Sequence, residues 1–153
     1  QIASIYEAET TAVTSYRNID WIKEEFKPQS IIDYTKEDFT NLNEKYDVIF
    51  DANGNKSFPD VEKCLTSNGV YVTTKNNIYN QIDFIKQFVK NKKSRVVLSA
   101  KSTTSSLDMF RMWVEDGKLK PIIEKIYSFD QFSEAYINLA EGRTKGKIIL
   151  NIN

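Results

Sequence analysis

Short runs of apolar, β-branched and aromatic residues alternate with longer segments of helical periodicity along this chain. The runs have the length and composition of strands, and they lie at Thr11–Ser15, Ser30–Tyr34, Tyr46–Ala52, Val70–Thr74, Arg95–Ala100 and Lys147–Asn151. Apolar residues recur at helical spacing between them, in the stretches 78–89, 107–114 and 132–139. Strands that alternate with helices favour right-handed crossovers and parallel pairing. The pattern predicts an α/β, doubly wound and mostly parallel sheet.

The ends of two helices are marked by residue type. The serine and threonine run Ser102–Ser105 precedes the helical pattern Ser106–Trp113, as a helix N-cap would. Gly117 follows that helix and Gly142 follows the next, at positions typical of C-caps. No linker, repeat or low-complexity tract interrupts the pattern, so we expect one domain over residues 1–153.

Composition excludes several classes of function. Lysine plus arginine and aspartate plus glutamate number 21 each, so no global field attracts nucleic acid or an anionic membrane. The chain has no histidine and a single cysteine, Cys64, which argues against a zinc site, a catalytic triad and an internal disulfide. We expect a cytoplasmic protein with no membrane span.

Ligands of doubly wound sheets bind at the carboxyl ends of the strands, so the residues there are the candidate site. After the first strand come Ser15 and Arg17, where an NAD-binding fold normally has an acidic residue for the ribose 2′-hydroxyl. A hydroxyl and a guanidinium suit the 2′-phosphate of NADP instead. The alternative is that Ser15 caps the helix beginning near Ile19 and that Arg17 is only solvated.

Three further strand ends carry candidates of lower specificity. Tyr34 is placed to lie against an adenosine or to donate to its phosphate, or it is a half-buried aromatic. Asn53 and Gly54 allow a cofactor to pass close to the backbone, or they form an ordinary turn. Thr73 and Thr74 face a nicotinamide ribose or pair across the sheet.

Taken in order, several segments are similar to landmarks of the medium-chain dehydrogenase/reductase superfamily, and especially of its zinc-independent quinone oxidoreductases. These segments are Ser30–Phe39, Tyr46–Gly54, Asn68–Val72, Gly117–Ile123 and Lys145–Ile149. The resemblance covers nearly the whole chain, and the ordered series is more specific than any of its members.

The resemblance implies a Rossmann-like, NADPH-binding part of an oxidoreductase that reduces a quinone, an enone or a similar activated double bond. It implies 2′-phosphate contacts at Ser15 and Arg17, and an adenosine-side or phosphate-side tyrosine at Tyr34. Asn53 and Gly54 correspond to the turn near the ribose, whereas Thr73 and Thr74 match the nicotinamide end only loosely. It implies no catalytic acid or base within these residues.

The same resemblance places the first Rossmann strand and its glycine-rich loop before Gln1, together with a GroES-like barrel. We therefore expect a sheet truncated before its first strand, with an apolar slot and unpaired backbone where that strand would lie. Either the sheet closes over the slot or the chain forms a homo-oligomer that fills it. We expect negligible reductase activity from residues 1–153 alone.

Two other functions stay open. The chain is alternatively a non-catalytic nucleotide-binding or interaction module, because one fold serves many functions. It is alternatively half of an NAD-dependent zinc alcohol dehydrogenase, which the lack of an acid after the first strand disfavours.

Overall fold

A computed structural model describes residues 1–74, 94–96 and 103–152 of the chain. The chain divides into two compact units, one formed by Gln1–Ala8 with Ser102–Asn153 and the other by Glu9–Lys101. The expectation that residues 1–153 act as one domain stays a prediction.

The described residues form five α-helices and seven β-strands, joined in places by single 3-10 turns. The helices are α1 Ile2–Ile5, α2 Ile19–Phe26, α3 Phe58–Val61, α4 Thr104–Glu115 and α5 Phe132–Ala140. The strands are β1 Thr11–Thr14, β2 Ser30–Asp33, β3 Tyr46–Asp51, β4 Leu65–Thr73, β5 Ser94–Val96, β6 Ile123–Ser128 and β7 Lys147–Asn151.

Every described strand pair is parallel. In the larger unit β1 pairs with β2, and a separate three-stranded sheet has the order β3-β4-β5. In the smaller unit β6 pairs with β7. The α/β class and the parallel, Rossmann-like sheet predicted from the sequence are confirmed.

The core of the larger unit lies where α3 packs on β4. Phe58, Val61 and Tyr71 are buried there, and Phe39, Ile49 and Leu65 pack around them as partly buried neighbours. The N-terminus of α3 is capped, because the Asp60 carboxylate accepts hydrogen bonds from both the backbone N–H and the hydroxyl of Ser57. This short helix therefore covers the sheet beside the end of β3.

The sequence located most elements, but it predicted neither α3 nor two features of the strands. α4 begins after Thr103, whose hydroxyl accepts a hydrogen bond from the backbone N–H of Ser106, and Gly117 follows it with a left-handed φ of 69°. β4 starts earlier than expected, at Leu65, and β6 was not predicted. The helical pattern over residues 78–89 and the end of the strand over 97–100 lie outside the described residues.

The slot expected between two parts of the sheet is present. β1 and β3 belong to different sheets, and a cavity of about 530 Å³ is lined by residues of both strands. The alternative in which the sheet closes over the slot is therefore wrong. Among the described residues, no helix has the length and apolar character needed to cross a membrane.

Candidate functional site

The turn after β1 presents Ser15 without using its side chain. Ser15 has extended backbone angles, φ −82° and ψ 157°, and precedes a 3-10 turn over Tyr16–Asn18. Its side chain makes no capping hydrogen bond, and Asn18 occupies the N-cap position of α2. Ser15 therefore does not cap α2, and the alternative that the sequence left open for this residue is wrong.

Arg17 lies exposed beside two tyrosines. Its Nε donates a hydrogen bond of 3.2 Å to the Tyr16 hydroxyl, and its guanidinium lies 5.6 Å from the centre of the Tyr16 ring. The hydrogen bond to Tyr16 raises the pKa of Arg17, and the phenol of Tyr34 adds to the rise. Within the described part of the chain, the two terminal nitrogens of Arg17 have no hydrogen-bond or ion-pair partner. They are available to an anion.

Tyr34 connects the turn after β1 to the turn after β2. Its backbone N–H donates to the carbonyl of Thr14 at 3.0 Å, which holds the two strand ends together. Its side chain is 60% exposed and lines the cavity between β1 and β3. The ring is therefore presented to solvent at the carboxyl end of the sheet.

Asp33 is a buried carboxylate to which the sequence analysis gave no role. It is 7% exposed, and its Oδ1 accepts hydrogen bonds from the backbone N–H and the hydroxyl of Thr35 at 3.0 and 2.7 Å. The Thr35 hydroxyl holds the pKa of Asp33 below its usual range. The buried Oδ2 lies 3.8 Å from the Lys36 ammonium. The Asp-x-Thr spacing is the sequence signal for this turn.

The turn after β3 is organised around Asp51. Its Oδ1 accepts from the backbone N–H of Gly54 at 2.7 Å, and its Oδ2 accepts from the backbone N–H of Lys56 at 3.0 Å and the Tyr71 hydroxyl at 3.1 Å. Tyr71 also donates to the Lys56 carbonyl at 2.7 Å, and burial raises the pKa of this phenol. The Asp-x-x-Gly spacing is the local signal for this turn, but the Tyr71 contact comes from 20 residues away.

The remaining predicted site residues occupy different environments. Asn53 is exposed and lines the cavity, whereas Gly54 is buried with a left-handed φ of 63°. Thr73 is fully buried, and Thr74 is exposed with its hydroxyl donating to the Ala52 carbonyl at 2.7 Å. The cavity thus brings Tyr34 and Asn53 together, and it does not include Ser15, Arg17, Gly54, Thr73 or Thr74.

A salt bridge that sequence reasoning missed lies beside this cavity. The Lys56 ammonium is 2.5 Å from Asp38 Oδ2, while Asp38 Oδ1 accepts from the backbone N–H and hydroxyl of Thr40. The Lys56 ammonium lowers the pKa of Asp38 to about 2. Asp38, Asp51, Asn55 and Lys56 line the cavity together, so two carboxylates and one ammonium border it.

The described residues hold no group of three or more histidine, cysteine or acidic side chains arranged for a metal ion. What the strand ends offer instead is a cation with unused donors, two exposed phenols, an amide and a serine hydroxyl. These groups suit recognition of an anionic, aromatic ligand rather than acid–base chemistry.

The family model described as zinc-binding dehydrogenase matches residues 28–150. This chain belongs to that family. It is a C-terminal part of a medium-chain dehydrogenase/reductase, as the sequence resemblance implied.

The known proteins to which this chain is similar are longer than it. Protein YIM1 of Saccharomyces cerevisiae is 29% identical over 134 residues, which cover 72% of this chain and 35% of the yeast protein. The quinone oxidoreductase from Coxiella burnetii superimposes with a TM-score of 0.81 at 21% identity, over 99% of this chain and 47% of the other. An NAD-dependent alcohol dehydrogenase gives a TM-score of 0.77 at 21% identity, with 99% and 46% coverage. At these identities the solved structures establish the fold alone.

Proposed function

We propose that this chain is the NADPH-binding part of an oxidoreductase that reduces a quinone, an enone or a similar activated double bond. The family is an oxidoreductase family, and the chain spans about a third of the yeast relative. The cofactor would supply the hydride, and the protein would supply position and electrostatics. The observation that carries the choice of NADPH is the guanidinium of Arg17 at the carboxyl end of β1, whose two terminal nitrogens have no partner among the described residues.

The groups at the ends of β1 and β2 fit a 2′-phosphate. No described residue contacts the terminal nitrogens of Arg17, so they can make a bidentate contact with phosphate oxygens, and the Ser15 hydroxyl makes no capping bond. The Tyr16 ring and hydroxyl hold the guanidinium from one side, which reduces the entropy lost when a ligand binds. Tyr34 offers an exposed ring for the adenosine.

The Asp33 carboxylate at the end of β2 does not oppose that assignment. Asp33 is buried, and its Oδ1 already accepts two hydrogen bonds from Thr35. It is the last residue of β2 and does not end β1, so it does not occupy the position where NAD-binding folds accept from the ribose 2′-hydroxyl. This supports NADPH over NADH, and it weighs against the NAD-dependent alcohol dehydrogenase alternative.

Asn53 and Gly54 would lie near the cofactor ribose in this proposal, because a buried glycine with positive φ lets a ligand approach the backbone. Thr74 would lie at the nicotinamide end. Thr73 enters the proposal only through the backbone, since its side chain is fully buried. We further propose a small-molecule substrate bound in the longer protein and a homo-oligomeric, cytoplasmic enzyme.

Calorimetric titration of the chain with NADPH and with NADH tests the assignment. We expect NADPH to bind more tightly than NADH, and Arg17→Ala to weaken NADPH binding by about tenfold with little change for NADH, because one charge-assisted contact is lost. Lys23→Ala is the matched control, since it removes one exposed cation from α2 and should leave both affinities unchanged.

A preference for NADH, or equal loss for both cofactors in Arg17→Ala, would contradict the proposal. The non-catalytic alternative is separated by the full-length protein, which should consume NADPH when supplied with a quinone or enone. Cofactor binding without such turnover would favour the non-catalytic module.

A further inference from the structure

Two Asn–Gly pairs occur in the sequence, Asn53–Gly54 and Asn68–Gly69. Asparagine followed by glycine is especially prone to spontaneous deamidation, because glycine has no side chain to shield the backbone nitrogen that attacks the asparagine carboxamide. The first pair lies in the turn after β3, and the second lies within β4. The two pairs have the same local chemistry and differ in what the fold does to them.

Asn53 lies in a part of the chain that no sheet pairing holds. It is exposed and borders the cavity, outside any helix or strand. Gly54 follows it with a left-handed φ of 63°, beyond the last paired residue of β3. The Asn53 carboxamide can therefore turn towards the Gly54 nitrogen without breaking a strand pair.

The Gly54 nitrogen is engaged by a carboxylate in the closed turn. Its N–H donates a hydrogen bond of 2.7 Å to Asp51 Oδ1. The Tyr71 hydroxyl holds the same carboxylate from β4, at 3.1 Å from Asp51 Oδ2. An amide nitrogen attacks a carbonyl carbon only as its proton leaves, and a hydrogen bond to a charged acceptor is among the stronger ones. Asp51 therefore restrains the attack until the turn opens locally.

The second pair is restrained by packing instead. Gly69 is buried, and a Cβ atom placed on it would lie 2.8 Å from the Tyr46 carbonyl oxygen and 2.8 Å from the Leu65 side chain. A ring that joins Asn68 to the Gly69 nitrogen changes the main chain at this crowded point. It can form only when β4 separates from β3, which requires unfolding of the sheet.

We propose that Asn53 is a site of spontaneous deamidation and that the Asp51 carboxylate controls its rate. The Gly54 nitrogen forms a bond to the side-chain carbonyl carbon of Asn53, giving a succinimide. The bond from that carbon to the side-chain nitrogen breaks, and this nitrogen leaves as ammonia with the proton from Gly54. Water then opens the ring at either carbonyl, giving aspartate or isoaspartate with no oxidation or reduction.

The modification changes the charge of the cavity. Two carboxylates and one ammonium border it, and deamidation of Asn53 adds a third carboxylate. Isoaspartate also lengthens the main chain of the turn by one carbon atom. A weaker affinity for an anionic cofactor would follow, and that consequence rests on the proposed function, whereas the modification itself does not.

Peptide mapping by mass spectrometry, after incubation in mildly alkaline buffer, tests the proposal. Trypsin separates the two asparagines into the peptides 46–56 and 64–75, so Asn68 measures global unfolding in the same sample. We expect the ratio of the Asn53 rate to the Asn68 rate to rise at least about tenfold in Asp51→Ala, because the hydrogen bond that restrains Gly54 is lost.

Two further variants make the test independent of the stability of Asp51→Ala, and circular dichroism shows whether each one folds. Asp51→Asn keeps an uncharged acceptor and should raise the same ratio by a smaller factor. Tyr71→Phe is the matched control, because it removes one hydrogen bond to the carboxylate and keeps the bond from Gly54 to Asp51. The ratio should stay close to that of the wild type.

An unchanged ratio in both Asp51 variants would overturn the proposal, because global unfolding would then set both rates. A lower ratio would also overturn it, since Asp51 would then act as a base that promotes the attack. A rise in Tyr71→Phe as large as that in Asp51→Ala would show that loosening of the turn, and not the Gly54 hydrogen bond, controls the rate.

Discussion

The turns after β1 and β3 end strands of the same unit, yet they use their polar groups in opposite ways. In the turn after β3, the Asp51 carboxylate accepts three hydrogen bonds. In the turn after β1, Arg17 donates one hydrogen bond to Tyr16, and its terminal nitrogens have no partner in the described part of the chain. Both turns have the residue types of a ligand site, but only the second has capacity left for a ligand.

The difference follows from which groups each turn has to satisfy. In the turn after β3, the backbone N–H groups of Gly54 and Lys56 point away from the sheet hydrogen bonds, so a side chain has to accept from them. Asp51 is that side chain, and Tyr71 fixes its carboxylate from β4. The turn after β1 is closed by its own backbone, with Asn18 donating to the Ser15 carbonyl at 3.0 Å. Its side chains are therefore not needed for folding.

The largest expected effect is therefore on stability, from Asp51→Ala. The substitution leaves the backbone N–H groups of Gly54 and Lys56 without their acceptor and leaves the buried Tyr71 hydroxyl with the Lys56 carbonyl alone, and we expect the free energy of unfolding to fall by about 3 kcal/mol. Urea denaturation measures it. Asp47→Ala is the matched control on the same strand, because Asp47 accepts one exposed hydrogen bond from Thr66. Equal decreases in the free energy of unfolding for Asp51→Ala and Asp47→Ala would contradict the conclusion that the turn after β3 depends on its side chains.

The sequence was sufficient to locate the strand ends and insufficient to tell these two turns apart. Strand runs and helix caps are local signals, and β1, β2, β3 and α4 lie within a few residues of their predicted bounds. The roles of Asp51 and Tyr71 depend on a contact between residues 20 apart. No local pattern contains it.

β6 was missed for a related reason. In the segment Ile123–Ser128, Glu124 and Lys125 interrupt the apolar run that identified the other strands. Only one of its six residues is buried in the structure. Its conformation is decided instead by its parallel pairing with β7, which follows α5 in the chain. The early start of β4 also reflects pairing, since Leu65 lies opposite Tyr46 before the register shifts.

A smaller effect is expected from the salt bridge beside the turn after β3. The Lys56 ammonium lowers the pKa of Asp38 from 3.8 to about 2, so the stabilisation is present above pH about 4 and is lost as pH falls towards 2. The Asp38 side chain is 40% exposed, so solvent screening limits the contribution to about 1 kcal/mol or less.

Urea denaturation of the wild type and of Asp38→Asn across that pH range measures this contribution. The difference between the two free energies of unfolding should be greatest near neutral pH, shrink towards zero near pH about 2, and decrease with added salt. Lys56→Met should show the same pH dependence as Asp38→Asn. A difference that stays constant with pH would mean that Asp38 stabilises the turn through its Thr40 hydrogen bonds alone.

The smallest effect on stability is expected from Arg17→Ala, and it is the sharpest test of the comparison. Arg17 is exposed and its one hydrogen bond is to a neighbouring exposed tyrosine, so the free energy of unfolding should change by less than about 0.5 kcal/mol. Thermal unfolding with saturating NADPH should separate the two roles, because a bound ligand stabilises only the chain that binds it. The wild type should gain more in Tm than Arg17→Ala does, while without cofactor the two should unfold together. A destabilised Arg17→Ala chain without cofactor would show that the turn after β1 depends on its side chains for folding, as the turn after β3 does.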